Sequence, residues 1–180
     1  MPWPFNTNEN AGKAGFVCSW PASWLLIYYS AFAFIFPVSV VPVFSPDDGA
    51  RILHFIDGAE STLDIEMYVF SSRDVVEALE EAKDRGVNVR IILEKNTISN
   101  DNADIFSELA AKGFLVRYAS EDFKLTHSKF IIRDGKEVLV GSHNFSNSAL
   151  FHNREASIIT NHAPAVQEFI EIFEHDWNLS

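Results

Sequence analysis

The stretch Thr126-His127-Ser128-Lys129-Phe130-Ile131-Ile132-Arg133-Asp134 sets a histidine and a lysine two residues apart at the head of an apolar run. Side chains alternate along a strand, so His127 and Lys129 share one face while Phe130 and Ile132 take the other. Further on, Gly141-Ser142-His143-Asn144 repeats the spacing with Ser142 and Asn144. If the two strand ends adjoin, these four side chains converge. The cluster then offers a nucleophile or base near neutral pH, a fixed positive charge and two neutral donors, a set suited to an anionic phosphate. Glu155 is the candidate orienter: a carboxylate that accepts from one ring nitrogen of His127 raises the nucleophilicity of the other.

The elements that must position these groups alternate between helix and strand from residue 45 onward. Apolar Ile52, Leu53 and Ile56 predict a helix within Pro46 to Ala59, and Ser61 to Phe70 alternates as a strand. Ser72 is placed to cap a helix over Asp74 to Arg85, stopped by Gly86, and Val87 to Leu93 is a β-branched strand. A second unit follows, with a helix from Ala103 to Lys112, Gly113 as its stop, and a strand from Phe114 to Ala119. Asp134-Gly135 reads as a tight turn between strands at Ser128 to Arg133 and Glu137 to Val140. Ala156 to Thr160 is a further strand, and Ala163 to Trp177 a closing helix with Val166, Phe169, Ile170 and Phe173 on one face. The expected fold class is α/β, an α/β/α layered sandwich with a mixed β-sheet.

Residues 1–44 differ from the rest. They hold two charges, Glu9 and Lys13, and 11 of the 24 aromatic residues, and positions 14–46 form 33 consecutive uncharged residues. That run is long enough for a transmembrane helix of about 20 residues, although Pro21, Pro37 and Pro42 confine the unbroken helix to Ala22 to Phe36. Trp20, Trp24, Tyr28 and Tyr29 suit an aromatic belt. Residues 1–44 are therefore expected to be a membrane anchor or signal segment, with membrane contact through 20–44, and 45–180 the functional domain. A signal peptide is disfavoured because Lys13 is its lone base, and cleavage after Ala31-Phe32-Ala33 would leave an apolar new terminus. Lys13 before the span and Asp47 and Asp48 after it tilt the expectation toward a single-pass anchor with an extracytoplasmic domain.

His127-x-Lys129-x4-Asp134, then Gly141-Ser142-x-Asn144, then Glu155, resembles the signature of the phospholipase D superfamily, in particular its small single-motif phosphodiesterases, the bacterial endonucleases and the mitochondrial cardiolipin hydrolases. The resemblance covers about residues 45 to 180. It implies a homodimer whose active site is shared across the interface, because one motif supplies half of that family's site. It further implies that one subunit's His127 attacks phosphorus to form a phosphohistidine, that the partner's His127 protonates the leaving oxygen, and that water hydrolyses the intermediate. Lys129, Asn144 and Ser142 would bind the phosphoryl oxygens and Glu155 would hold the imidazole, with no metal or other cofactor. Asp134 matches the motif's aspartate, yet a turn position explains it on structural grounds alone, so it is left out of the catalytic set.

The chain carries 14 Lys and Arg against 25 Asp and Glu, a net charge of -11, which opposes a broad nucleic-acid surface. With the membrane segment, this favours a phospholipid head-group diester over DNA or RNA. The alternative, an anchored endonuclease, requires a local basic cleft from Lys124, Lys129, Arg133 and Arg154; a silent membrane adaptor is a third reading. A zinc site from His127, His143, His152 and Glu155 is disfavoured because Lys129 would repel the cation. His143 and His152 are expected at the surface or behind the site, and the lone Cys18 excludes an intramolecular disulfide.

Overall fold

The structure is a computed structural model, and it describes residues 37–97 and 101–180. The expected helix at 22–36 lies outside the described residues. Among the described residues no helix is long and apolar enough to cross a membrane. A compact unit spans Val38–Ser180.

Its elements are β1 (Val40–Phe44), α1 (Ala50–Asp57), β2 (Thr62–Met67), α2 (Arg73–Asp84), β3 (Asn88–Leu93), α3 (Asp101–Ala111), β4 (Leu115–Tyr118), β5 (Lys129–Arg133), β6 (Glu137–Gly141), α4 (Asn147–Phe151), β7 (Ala156–Thr160) and α5 (Ala163–Leu179). The strands form one seven-stranded sheet in the order β1-β7-β6-β5-β2-β3-β4. Strands β2, β3 and β4 run parallel, and the remaining ladders are antiparallel. The sheet is therefore mixed. Its two faces bury separate cores. One packs Ile65, Ile91, Ile131 and Leu139 beneath α1, α2 and α3, and the other packs Phe130, Ile132 and Val138 against Val166 and Phe173 of α5. Each such fully buried side chain contributes about 1.5–3 kcal/mol.

Strand β1 corrects the domain boundary expected at residue 45. Val38 to Phe44 reads in sequence as the tail of the apolar segment, yet β1 pairs along its full length with β7 and buries Val43 completely. Alternation explains the difference, since Val41 and Val43 turn inward while Val40, Pro42 and Phe44 stay outward. Pro42 is tolerated because β1 is the sheet edge, where a missing N–H breaks no ladder. The folded domain starts near Val38, so membrane contact through 20–44 cannot include the last seven of those positions as a spanning helix.

Smaller departures follow from side-chain competition. Within the expected Pro46 to Ala59 stretch the helix starts at Ala50, because Pro46 to Gly49 form turns in which Arg51 N donates to the Asp48 carbonyl at 3.0 Å. Ser72 does stand at the N-terminus of α2, but its hydroxyl donates to Asn147 Oδ1 at 3.0 Å and makes no cap bond. Helix α4 was not expected from sequence; at five residues it is too short for a periodic signal, though Ser146 caps it by accepting from Ala149 N at 3.2 Å.

Gly49 meets α4 at backbone level: a Cβ there would lie 1.7 Å from the Leu150 carbonyl oxygen. Its φ of -59° is open to any residue, so the restriction is purely steric. Gly49→Ala should therefore cost about 2–3 kcal/mol of stability, the scale of overpacking in a tight contact, read as a lower denaturant midpoint with unchanged slope.

Candidate active site

The carboxyl ends of β2, β3 and β4 and the amino end of β5 open on the same edge of the sheet, the edge at which mixed α/β sheets collect ligand-binding groups. Lys129 begins β5 opposite Met67, the last residue of β2. It is only 7% exposed. Its ammonium donates to the His127 carbonyl at 2.8 Å, lies 3.4 Å from Nδ1 and 3.5 Å from Nε2 of the same ring, and stands 5.0 Å from the Tyr68 ring centre. Burial pushes the Lys129 ammonium below its ordinary value, and attraction to Glu155 opposes that shift. His127 is exposed, with its ring against Tyr68 at 4.3 Å between centroids. His127 and Lys129 thus come together as expected, although β5 begins at Lys129 and His127 stands in the loop two residues before it.

Ser142 and Glu155 form a second polar group at the same end. The Ser142 hydroxyl donates to Glu155 Oε2 at 2.5 Å and accepts from Ala156 N at 3.0 Å, while Asn153 Nδ2 donates to Glu155 Oε1 at 3.3 Å. Ser45, directly after β1, fixes the Glu155 backbone by accepting from its N–H at 3.1 Å. Asn144 Oδ1 accepts from Val69 N at 3.3 Å, which assigns its amide orientation and leaves Nδ2 as the outward donor. Within one chain, Glu155 is bonded to Ser142 and Asn153, and no hydrogen bond joins it to His127 among the described residues. The link between the two groups is the field of Glu155 at Lys129.

Other sequence candidates fall away from this edge. Asp134 lies at the opposite end of β5, five residues or about 17 Å of strand from Lys129. It sits at φ 54° beside Gly135 at φ 62°, so the turn expected there forms. Its carboxylate accepts from the backbone N–H groups of Glu60, Ser61 and Thr62 and from the Ser61 hydroxyl. Burial alone would raise its pKa, and the donors of Thr62, Ser61 and Glu60 outweigh it, holding the carboxyl below its ordinary value. His143 is buried with Nδ1 2.7 Å from Ser157 Oγ, behind the site, and His152 is exposed. Burial lowers the His143 pKa against the opposing pull of Glu155. Among the described residues no group of three or more His, Cys, Asp or Glu side chains could hold a metal ion.

Three supporting residues went unrecognised in sequence. Tyr68 forms the floor under His127 and Lys129. Glu94, just past β3, accepts from Thr126 N at 2.7 Å and so holds the loop that enters His127. Asn102, buried in α3, donates to the carbonyls of Tyr68 and Glu94 and accepts from Phe70 N. Only Glu94 carried a signal, its position just beyond a parallel strand, where polar residues serve the site rather than the core.

A layered α/β domain with an HxK strand, a GSxN strand end and a following glutamate at one sheet edge defines a phospholipase D-type domain. The family model for the cardiolipin synthase PLD-like domain matches residues 52–177, and the chain belongs to this family. It is 32% identical over 128 residues to the mitochondrial cardiolipin hydrolase of Mus musculus, covering 71% of this chain and 57% of that protein. It is 31% identical over 136 residues to the phospholipase D of Rickettsia conorii, covering 74% and 65%. The chain thus spans less than two thirds of these relatives. Among solved structures, the phospholipase D family member Nuc from Salmonella typhimurium superposes with a TM-score of 0.72 at 31% identity, covering 79% of this chain and 95% of that one. NucT from Helicobacter pylori, at 18% identity and a TM-score of 0.67, shares the fold.

The Asp134 geometry assigns that residue to stability. Its depressed native pKa means that its contribution is fully present above the unfolded value of about 4 and is lost as pH falls through the native value. Asp134→Asn should therefore cost about 2–3 kcal/mol at pH 7, the scale of hydrogen bonds to a charged acceptor, and progressively less below about pH 4. Denaturant titrations at the two pH values measure this difference.

Proposed function

We propose that this chain is a phosphodiesterase that cleaves phospholipid head-group diesters through a phosphohistidine on His127. The observation that carries the reading is the pairing of His127 with a buried lysine at the sheet edge, within the field of Glu155. In the first step a ring nitrogen of His127 forms a bond to phosphorus as the bond to the leaving oxygen breaks. Lys129, whose charge is already largely removed from water, stabilises the phosphoryl oxygens together with Asn144 Nδ2 and the Ser142 hydroxyl, and the leaving oxygen takes a proton. Water then attacks phosphorus and returns His127 to its free state. A single chain presents one such histidine at this edge, so a second copy supplies the acid, its His127 standing across a shared interface. Glu155 holds the partner groups in register through Ser142.

The substrate class follows from where charge and apolar surface lie. The loop entering His127 exposes Phe123 and Leu125, at 46% and 40%, beside the site. Of the four cations that a nucleic-acid trench would need, Lys129 is in the site and Lys124 in the adjoining loop, but Arg133 sits at the far end of β5 with Glu137, and Arg154 pairs with Asp47 at 3.0 Å. An apolar rim with two rather than four of these cations beside it supports a lipid diester. The mitochondrial cardiolipin hydrolases among its relatives support the same reading. The uncharged run preceding Val38 would anchor the chain in a membrane, single-pass, with the domain on the extracytoplasmic side. The endonuclease reading draws on the likeness of fold to Nuc.

Turnover by the purified full chain, with EDTA present, on a chromogenic phosphodiester, cardiolipin-containing vesicles and single-stranded DNA separates these readings. Vesicle hydrolysis with little DNA cleavage is expected, and the reverse would replace the lipid reading with the nuclease one. His127→Ala should abolish turnover of every substrate without loss of fold, and trapped phosphoenzyme should be absent from it. Lys129→Met should lower kcat by about 10²-fold or more, the scale of a lost electrostatic donor in the transition state.

A further inference from the structure

The face of the sheet opposite His127 holds a buried carboxyl that the chemistry above does not use. Glu66 lies on β2, across the ladder from Phe130, and is 2% exposed. Its Oε1 accepts from the hydroxyl of Ser128, the residue between His127 and Lys129. Its Oε2 is fully buried and, among the described residues, accepts no hydrogen bond. Because Glu94 grips Thr126 through the backbone N–H at 2.7 Å, His127 is flanked by two carboxylate anchors, Glu94 on one side and Glu66 on the other.

Among the described residues, no cation pairs with Glu66. Arg90 of β3, on this face, is committed to Asp64 of β2 at 2.7 Å and Glu174 of α5 at 2.6 Å. Arg117 of β4 bonds the Trp177 carbonyl and lies over the Trp177 ring. Lys129 turns to the other face of β5, and exposed His175 is directed at Asp176. Asp176 of α5 acts on Glu66 as a second negative charge. Burial, opposed by the Ser128 hydrogen bond and reinforced by Asp176, pushes the Glu66 carboxyl up to about 7. Ionised, Glu66 adds an uncompensated buried charge beside another carboxylate. Protonated, it loses that charge and gains on Oε2 a donor for which Asp176 is the acceptor.

We propose that Glu66 is a positioning residue for the His127–Lys129 pair: protonated, it fastens Ser128 of β5 to Asp176 of α5, and ionised, it keeps the Ser128 bond but gives up Asp176, so that the strand end carrying His127 and Lys129 loses its tie to α5 and shifts. Its effect on rate rests on the phosphodiesterase reading given above; its effect on the His127 ring does not.

The test compares wild type, Glu66→Gln, Ser128→Ala and Asp176→Asn in the full chain. Turnover of bis(p-nitrophenyl) phosphate is measured from about pH 5.5 to 8.5, beside NMR titration of the His127 ring nitrogens. Glutamine keeps the shape of glutamate and both hydrogen-bonding edges while removing the titration. The ratio of kcat for Glu66→Gln to that of wild type should rise about threefold or more from pH 6 to 8.5 with KM unchanged, with its midpoint near the Glu66 transition. The wild-type His127 resonances should show a second inflection there that Glu66→Gln lacks. Ser128→Ala should lose about tenfold in kcat at pH 6 and lack the inflection, and Asp176→Asn should move it to lower pH. Melting supplies a further arm with the same sign. The native chain holds this proton between an unfolded pKa of about 4.3 and the raised native value, so wild-type stability should fall through that window relative to Glu66→Gln. A pH-independent kcat ratio together with His127 resonances indifferent to Glu66→Gln overturns the proposal. Should wild type hydrolyse no diester at any pH, the phosphodiesterase reading fails, and the His127 resonances and Asp176→Asn alone decide for or against Glu66.

Discussion

Burying the ammonium of Lys129 is the constraint around which this sheet edge is organised. A lysine at the head of a core strand cannot be left to desolvation alone, because an isolated buried charge is among the most costly groups in a protein. Here the ammonium finds the His127 carbonyl, the face of Tyr68 and the field of Glu155. Each compensating group is in turn held. Asn102 takes the Tyr68 carbonyl, Ser142 and Asn153 take the Glu155 carboxylate, and Ser45 takes its backbone. The solvation that Lys129 surrenders is recovered only if strands from both halves of the sheet meet at one edge.

That dependence explains which parts of the site were legible in the sequence. His127, Lys129, Ser142, Asn144 and Glu155 stand out because polar residues at fixed spacing interrupt apolar strands. Asp134 could be separated from them because Asp-Gly is a turn dipeptide whatever else it does, and the structure gives its carboxylate four donors at the far end of the strand. Tyr68 and Asn102 were not legible. An aromatic just past a strand and an amide in a helix carry no local mark, and their roles exist only once β2, β3 and α3 are docked. The direct contact expected between Glu155 and His127 was likewise an inference from residue type that the strand spacing of one chain does not deliver.

At the level of fold, the helix and strand pattern between residues 50 and 180 was read closely because periodicity and glycine stops are local signals. Gly86 at φ 92° and Gly113 at φ 75° end their helices where the sequence placed them. The errors lie where tertiary contact overrides local pattern. Val40 to Phe44 looks like continuation of an apolar segment until β7 offers it an antiparallel partner, and the serine before α2 looks like a cap until Asn147 competes for its hydroxyl.

Strand β1 also gives the sheet a mechanical anatomy. It is an edge strand of five residues, joined upstream to the long uncharged run and downstream, within one residue, to the serine that holds Glu155. Tension applied through the N-terminal segment therefore enters the sheet along a short antiparallel zipper. The first bonds beyond that zipper are those of Ser45 to Asn153 and Glu155. If the zipper opened, β7 would become the exposed edge and its main-chain groups a template for another strand. The position of β1 thus makes the outermost ladder both the grip on the upstream chain and the cover of the strand beside Glu155, so that a load on one is transmitted to the other.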